Sequence, residues 1–244
     1  MSLRVTLATA RRVAGQLRRD RRTLALVFVV PPALLTLLWY LFDEQPQTFA
    51  RVGAPMIGLF PLVMMFLITS IAMLRERTTG TLERLMSMPL AKLDLLFGYA
   101  LAFALVAAVQ ASITAAVAFG ALGIETDGPV WAVVALAIAN AVLGMALGLF
   151  LSAFATTEFQ AVQFMPAFIL PQFLLAGLFV PRERMPGVLE RIADFLPFTY
   201  AYDALARVAA DDIDGQLWLD VGVVTGSILL ALALGALTLR RRTP

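Results

Sequence analysis

Uncharged apolar runs of about 19 or more residues recur along this chain, and they constrain its fold more than any other feature. A helix needs roughly 20 such residues to cross a hydrocarbon layer about 30 Å thick. The 19 basic and 17 acidic side chains gather in short clusters between the runs, where a membrane surface would receive them. With 60% of residues hydrophobic, against roughly 45–50% in soluble domains, there is more apolar surface than one water-soluble core can hide. The chain therefore reads as an all-α integral membrane protein, one domain over residues 1–244.

The runs predict six transmembrane helices, at about 24–42, 53–74, 95–122, 130–154, 161–180 and 219–239. Pro31 and Pro32 interrupt the first and are expected to kink it. Ahead of it lies a basic preamble, residues 1–23. There Leu3, Leu7, Ala10, Ala14 and Leu17 recur at three- and four-residue steps, while Arg4, Arg11, Arg12, Arg18 and Arg19 take other faces. That pattern describes an amphipathic interfacial helix with its arginines turned to anionic membrane lipid. Six crossings put both termini on one side. Placing them in the cytoplasm leaves only Arg51, Arg182, Arg184, Arg191 and Arg207 outside, as the positive-inside rule requires. The basic pI near 9.4 is then a topology signal and implies no nucleic-acid partner.

Absences narrow the chemistry. The chain has no Cys and no His, which removes thiolate nucleophiles, imidazole bases and most metal sites. The only lysine, Lys92, follows Pro89, Leu90 and Ala91, so the phosphate-cradling G-x-x-x-x-G-K-[ST] loop is missing. No run holds a charge away from its ends; its polar groups are neutral, as at Thr36, Gln110, Asn140, Gln163 and Gln172. Hydrogen bonding between helices is their plainest role. Ion-coupled carriers usually place an ionisable group at the midplane, so any work done here draws its energy from elsewhere.

Two connecting segments carry the specific signals. The connector at 75–94 contains RERTTGTLERLMSMPL, Arg75 to Leu90. Thr81 is placed to cap a short helix, Glu83 lies near its positive end, Leu82, Leu85 and Met86 share a face, and Pro89 ends it. Such a helix either docks a soluble partner or tethers two crossings; spacing alone does not choose. In the segment 181–218, Val188, Leu189, Ile192, Ala193 and Leu196 lie on one helical face and Glu190, Arg191 and Asp194 on another. Pro197 breaks the run, and Tyr200, Ala201, Leu205 and Val208 continue it on a second short helix. Two helices dipping into the outer leaflet fit this pattern, with an ordinary external loop as the alternative.

Together these stretches resemble ABC exporter permeases of the drug-resistance and polysaccharide-export type. That family carries E-x-x-x-G-T-L-E-x-L-x-x-x-P-L after its second span, matched from Glu76 to Leu90. It also carries G-x-x-x-P-x-x-x-x-P followed by L-P-x-T-Y near the end of its fifth, matched within Leu175–Val208. The resemblance implies a permease dimer, of two copies or with a paralogue, in the plasma membrane of a prokaryote. A separate cytoplasmic ABC ATPase would bind ATP and Mg, and this chain would hold no cofactor or metal and catalyse nothing. The connector would be a coupling helix, with Glu76, Gly80, Thr81, Leu82, Glu83, Arg84 and Leu85 as ATPase contacts and Glu83 foremost. Thr156, Thr157 and Glu158 would make a second, lesser contact, and 181–218 would form a re-entrant outer helical hairpin.

Spans two and five would face a central pathway, lined by Phe60, Met64, Met65 and Phe66 and by Gln163, Phe164, Phe168, Gln172 and Phe173. Aromatic and Met-rich surfaces suit varied hydrophobic ligands. Pro166 and Pro171 would let span five flex. The expected cargo is an amphipathic drug-like molecule or lipid moved outward, with a polysaccharide or glycolipid as the rival. A membrane-embedded lipid-modifying enzyme would need clustered reactive groups at the surface, for which Asp211, Asp212 and Asp214 are the only set. A non-transporting scaffold would lack a continuous path.

Overall fold

A computed structural model of the chain describes residues 2–44, 46–81, 84–85 and 92–238, and every regular element among them is helical. Five helices are long and apolar enough to cross a membrane: Arg21–Leu41, Val52–Thr78, Leu93–Ala121, Val130–Phe154 and Gly215–Thr238. They coincide with five of the six expected runs. The elements are α1 (Leu3–Arg19), α2 (Arg21–Leu41), α3 (Pro46–Thr78) and α4 (Lys92–Ala116), which a π-helical turn extends to Ala121. Then come α5 (Val130–Leu151), α6 (Glu158–Phe164), α7 (Leu170–Leu175), α8 (Gly187–Asp194), α9 (Pro197–Ala209) and α10 (Gly215–Thr238).

The run expected at 161–180 is built differently from the other five. α6 widens into a π-helical turn, Met165–Ile169, before α7 resumes and stops at Leu175. Pro166 lies in that turn and Pro171 at the start of α7. A proline has no N–H to donate and its ring crowds the preceding turn, so the helix here is a series of short pieces.

Prolines have the opposite outcome in α2, which continues through Pro31 and Pro32 to Leu41 instead of ending there. Without an N–H on Pro31, the Val27 carbonyl loses its helical donor. Gln110 of α4 supplies one, its Nε2 donating to Val27 O at 3.0 Å in a fully buried site. An orphaned carbonyl in hydrocarbon is costly, so this bond makes the proline tolerable. Gln110→Leu is expected to lower stability by about 1–2 kcal/mol. Pro31→Ala restores a donor to Val27 and should remove most of that loss in a double-mutant cycle, followed by thermal unfolding in detergent. An equal loss in both backgrounds would show that the bond does not act this way.

The centre is the packing of α3 on α5, the most extensive helix pair in the fold. The two run parallel, Leu62 level with Gly144 and Phe66 level with Gly148. A Cβ on Gly144 would be driven into the Leu62 carbonyl oxygen, and one on Gly148 would sit 2.5 Å from the Phe66 carbonyl oxygen. Gly144-x-x-x-Gly148 is thus a small-residue stripe that lets two backbones touch, as membrane helices favour where apolar burial gives little drive. Thr69 Oγ1 donates to the Met65 carbonyl at 2.6 Å, with the Met145 carbonyl of α5 3.2 Å away.

Around this pair, α10 packs on α5 and α9, and α2 packs on α3. α1 crosses α4 where Gly98 admits Thr9, with a hypothetical Gly98 Cβ only 2.5 Å from Thr9 Cβ. Ser2 N donates to both carboxylate oxygens of the buried Asp94 at 3.1 Å, fixing the start of α1. At the opposite end α9 is wedged into the bundle, with Phe198, Ala201, Leu205 and Val208 buried and Asn140 Nδ2 donating to the Ala201 carbonyl at 3.0 Å. Pro197 opens α9, and the turn before α5 caps it, with Asp127 N donating to the Ala209 carbonyl at 2.9 Å. By contrast α8 leaves Val188, Leu189, Ile192 and the following Phe195 exposed.

Candidate functional site

The end of the bundle that carries the connector brings together α1, the last turn of α3, the starts of α2 and α4, and the turn into α6. α3 ends because Gly80 adopts φ +72, a left-handed conformation that glycine takes without strain. Just before it, Arg75 and Glu76 are consecutive helical residues and so point in different directions.

Arg75 reaches α6. Its Nε donates to Glu158 Oε1 at 2.7 Å and its Nη2 to Oε2 at 3.0 Å, a bidentate ion pair that remains solvent-exposed. This hydrogen bond holds the Glu158 carboxyl below the usual carboxylate range. Glu158 is the first residue of α6, where the helix dipole also favours an anion. Thr157 caps that helix, its Oγ1 accepting from Gln160 N at 3.2 Å. Gln160 Oε1 reaches back to accept from Thr156 N at 2.8 Å and Thr156 Oγ1 at 3.0 Å. The Thr156-Thr157-Glu158 turn is therefore a rigid corner joined to the end of α3.

Glu76 turns inward instead. Its Oε1 accepts from Arg12 Nη1 at 3.4 Å and Gln16 Nε2 at 3.2 Å, both on α1. Arg12 also bonds the Tyr99 hydroxyl and stacks over that ring, 5.4 Å from its centroid, so one guanidinium joins α1, α3 and α4. The second carboxylate oxygen of Glu76 is buried with no hydrogen-bond partner.

Of the other expected contacts, Thr81 Oγ1 lies 3.1 Å from Thr79 Oγ1, and Arg84 N donates to the Gly80 carbonyl at 3.0 Å. Arg84 is exposed and Leu85 half-buried against the core. Leu82 and Glu83 lie outside the described residues, as do Met86, the Pro89 stop and Arg240–Arg242.

The pathway residues separate. Met65 and Phe66 are fully buried against their own chain, and Phe60 and Met64 are half-buried. On α6 and α7, Gln163 and Phe168 are exposed, Phe164 and Phe173 are half-buried, and Gln172 is buried with its Nε2 donating to the Phe168 carbonyl at 3.0 Å. Phe173 packs edge-on against Phe179 and Phe198, linking α7 to the outer helices.

At the far end Arg207 gathers the acidic run, 2.9 Å from Asp212, 3.5 Å from Asp214 and 3.4 Å from the buried Asp220. Asp214 also caps α10 by accepting from Leu217 N at 3.0 Å. These carboxylates are engaged in structure, and no cluster of acidic residues able to hold a metal occurs among the described residues.

Sequence does not single out Gln16, Tyr99 or Arg75, and Arg12, expected to turn to anionic lipid, turns inward to Glu76 and Tyr99 instead. Arg75 stands beside Glu76 in the motif, a signal that was available; the Arg12 pairing depends on how α1 lies across α4, which spacing does not give.

Residues 4–209 match the sequence pattern described as ABC-2 type transporter. The probable multidrug ABC transporter permease YbhR of Escherichia coli strain K12 is 27% identical over 72% of this chain and 50% of its own length. The linearmycin resistance permease protein LnrN of Bacillus subtilis strain 168 is 27% identical over 66% of the chain and 40% of its length. ABC transporter G family member 20 of Dictyostelium discoideum is 23% identical over 72% and 24%. The chain spans half or less of the length of these curated relatives.

Proposed function

Because the chain belongs to the ABC-2 type transporter family, we propose that it is the transmembrane permease subunit of an ATP-driven exporter, with ATP and Mg bound by a separate cytoplasmic ATPase. The observation that carries this reading is the reach of the match, which covers both the connector and the outer helices. The junction at the connector end supports it: Arg75 and Glu158 tie the end of α3 to the start of α6, joining the two segments expected to meet the ATPase. Force applied to either is transmitted to both. Gly80, Thr81, Leu82, Glu83, Arg84 and Leu85 are the proposed docking set and Thr156 and Thr157 the second contact, while Glu76 anchors α1.

In this reading α6 and α7 complete a sixth crossing, both termini are cytoplasmic, and the protein sits in a prokaryotic plasma membrane. The exposed apolar face of α8 fits a hairpin dipping into the outer leaflet, and the exposed Gln163 and Phe168 fit a face turned to a second permease. The names of two relatives favour drug-like or amphipathic cargo over a polysaccharide.

Co-expression with its cognate P-loop ATPase tests the proposal. The two should co-purify, and drug- or lipid-stimulated ATP hydrolysis should require this chain. Glu83→Ala should reduce both complex formation and stimulation; unchanged values would remove Glu83 from the docking set, and no complex at all would overturn the reading.

A further inference from the structure

Seven arginines and a single carboxylate, Asp20, occupy residues 1–42. The fold sorts the arginines by direction. Arg12 turns inward to Glu76 and Tyr99, and Thr9, Ala10 and Val13 of α1 are buried against the bundle. Arg4, Arg11 and Arg18 stand on the opposite side, all exposed, and their seven-residue steps stack them in a ridge with about 10.5 Å between neighbours. Arg21 and Arg22 are exposed in the first turn of α2. None of these five is in an ion pair among the described residues, whereas Arg12, Arg75, Arg182 and Arg207 all are. Asp20 is occupied by Thr23, whose N–H and hydroxyl it accepts at 3.1 Å and 2.7 Å.

The place of the ridge selects its anion. Ser2 N ties the first turn of α1 to Asp94 at the start of α4, and Asp20 joins the last turn to the start of α2. Both are ends of helices long and apolar enough to cross a membrane, so α1 lies along the level at which the bundle enters it. Leu7, one helical turn from both Arg4 and Arg11, is 51% exposed, and Leu3 is 75% exposed. A soluble polyanion would neutralise the arginines and leave these leucines in water. Phospholipid satisfies both, phosphate on the guanidiniums and acyl chain on the leucines.

We propose that α1 is a lipid-sensing strap: Arg4, Arg11 and Arg18 hold headgroup phosphates of anionic phospholipid, and the contact of Arg12 and Gln16 with Glu76 carries that occupancy to the end of α3. The lipid is a surface partner outside the bundle, distinct from any cargo. Neither half of the proposal requires the chain to export anything.

The chain has no cysteine, and nothing lies within 4 Å of a Cβ placed on Gly15, one turn from both Arg11 and Arg18. Gly15→Cys carrying a bimane label is placed in nanodiscs of equal phosphatidylglycerol and phosphatidylcholine, with bromine on the chains of one lipid or the other. Brominated phosphatidylglycerol should quench about fivefold more strongly, the effect of one arginine near an anionic surface. Arg4→Gln, Arg11→Gln and Arg18→Gln together should erase the difference, and lysine at the same three positions should restore it. Salt at about 1 M should weaken it in the unsubstituted ridge, which decides the matter even if the triple variant does not fold. A spin label at Thr78→Cys, exposed on the last residue of α3, reads the second half. It should move more slowly in phosphatidylglycerol than in phosphatidylcholine, and the triple glutamine variant should remove that contrast. Equal quenching by the two lipids, or a preference that survives both salt and the triple variant, would overturn the lipid site. Label motion that is the same in both lipids, or a contrast unchanged in the triple variant, would overturn the link to α3.

Discussion

Gly148→Leu is expected to abolish the folded chain. At Gly148 α3 and α5 meet backbone to backbone, and even a methyl group would press on the Phe66 carbonyl and the Thr69 hydroxyl. These neighbours do not yield as a flexible side chain would, since one is main chain and the other donates within a buried hydrogen-bond set. Overpacking of this kind costs roughly 1–3 kcal/mol when a core can shift, and here the shift must separate the largest helix interface. Gly148→Ala should therefore show the intermediate loss, on the order of 2 kcal/mol. Gly226→Ala is the matched control, because nothing lies within 4 Å of a Cβ placed there. It should be neutral or stabilising, given that alanine is favoured over glycine in a helix by about 1 kcal/mol. Thermal unfolding in detergent and the monodisperse fraction on size exclusion report the outcome. A Gly148→Ala protein as stable as Gly226→Ala would mean that the two helices are held by other contacts.

That stripe also marks what sequence could and could not yield. Apolar runs located five long helices because hydrocarbon thickness imposes one length on any crossing, whatever its neighbours. Gly144-x-x-x-Gly148 was present in the same run and readable as a packing face, but its partner was not, since the register of α3 against α5 is a tertiary property. Hydropathy over 161–180 indicates one more crossing and Pro166 and Pro171 suggest flexing, whereas local backbone sterics divide that run into short pieces. Neutral residues in the spans were expected to bond helix to helix, and Gln110 and Asn140 do so, each to a main-chain carbonyl on another helix. Glu76 shows the limit most clearly. The motif placed it on an outward surface, whereas the next helical residue after an outward Arg75 faces the interior, where α1 supplies Arg12.

Charge reversal at either member of the Arg75–Glu158 pair is expected to uncouple ATP hydrolysis from ligand while leaving the fold intact. Both side chains are more than half exposed, so the pair contributes at most about 1 kcal/mol to stability, and the unfolding midpoint should hardly move. In the proposed reading its mechanical role is larger, because it is a direct polar link from the end of α3 to the corner that starts α6, beside the apolar contact of Ile71 and Leu74 with Ala155 and Ala161. Arg75→Glu would set a third carboxylate beside Glu76 and Glu158 and drive that corner away from the connector. Ligand-stimulated hydrolysis by the complex with its ATPase should fall at least about fivefold, the low end of ordinary coupling energies. Glu158→Arg should do the same, and the double reversal, which rebuilds the pair with opposite polarity, should recover most of the stimulation. The pH dependence follows from the depressed Glu158 carboxyl. The contribution of the pair is complete above the ordinary carboxylate range and is lost only as pH falls through the lower folded value. Coupling should thus be insensitive to this group between about pH 6 and 8, and weaken with salt as screening shortens from about 8 Å at 0.15 M to 3 Å at 1 M. If single reversals leave stimulation unchanged in complexes that still assemble, the corner is a structural cap and force enters the bundle through the connector alone.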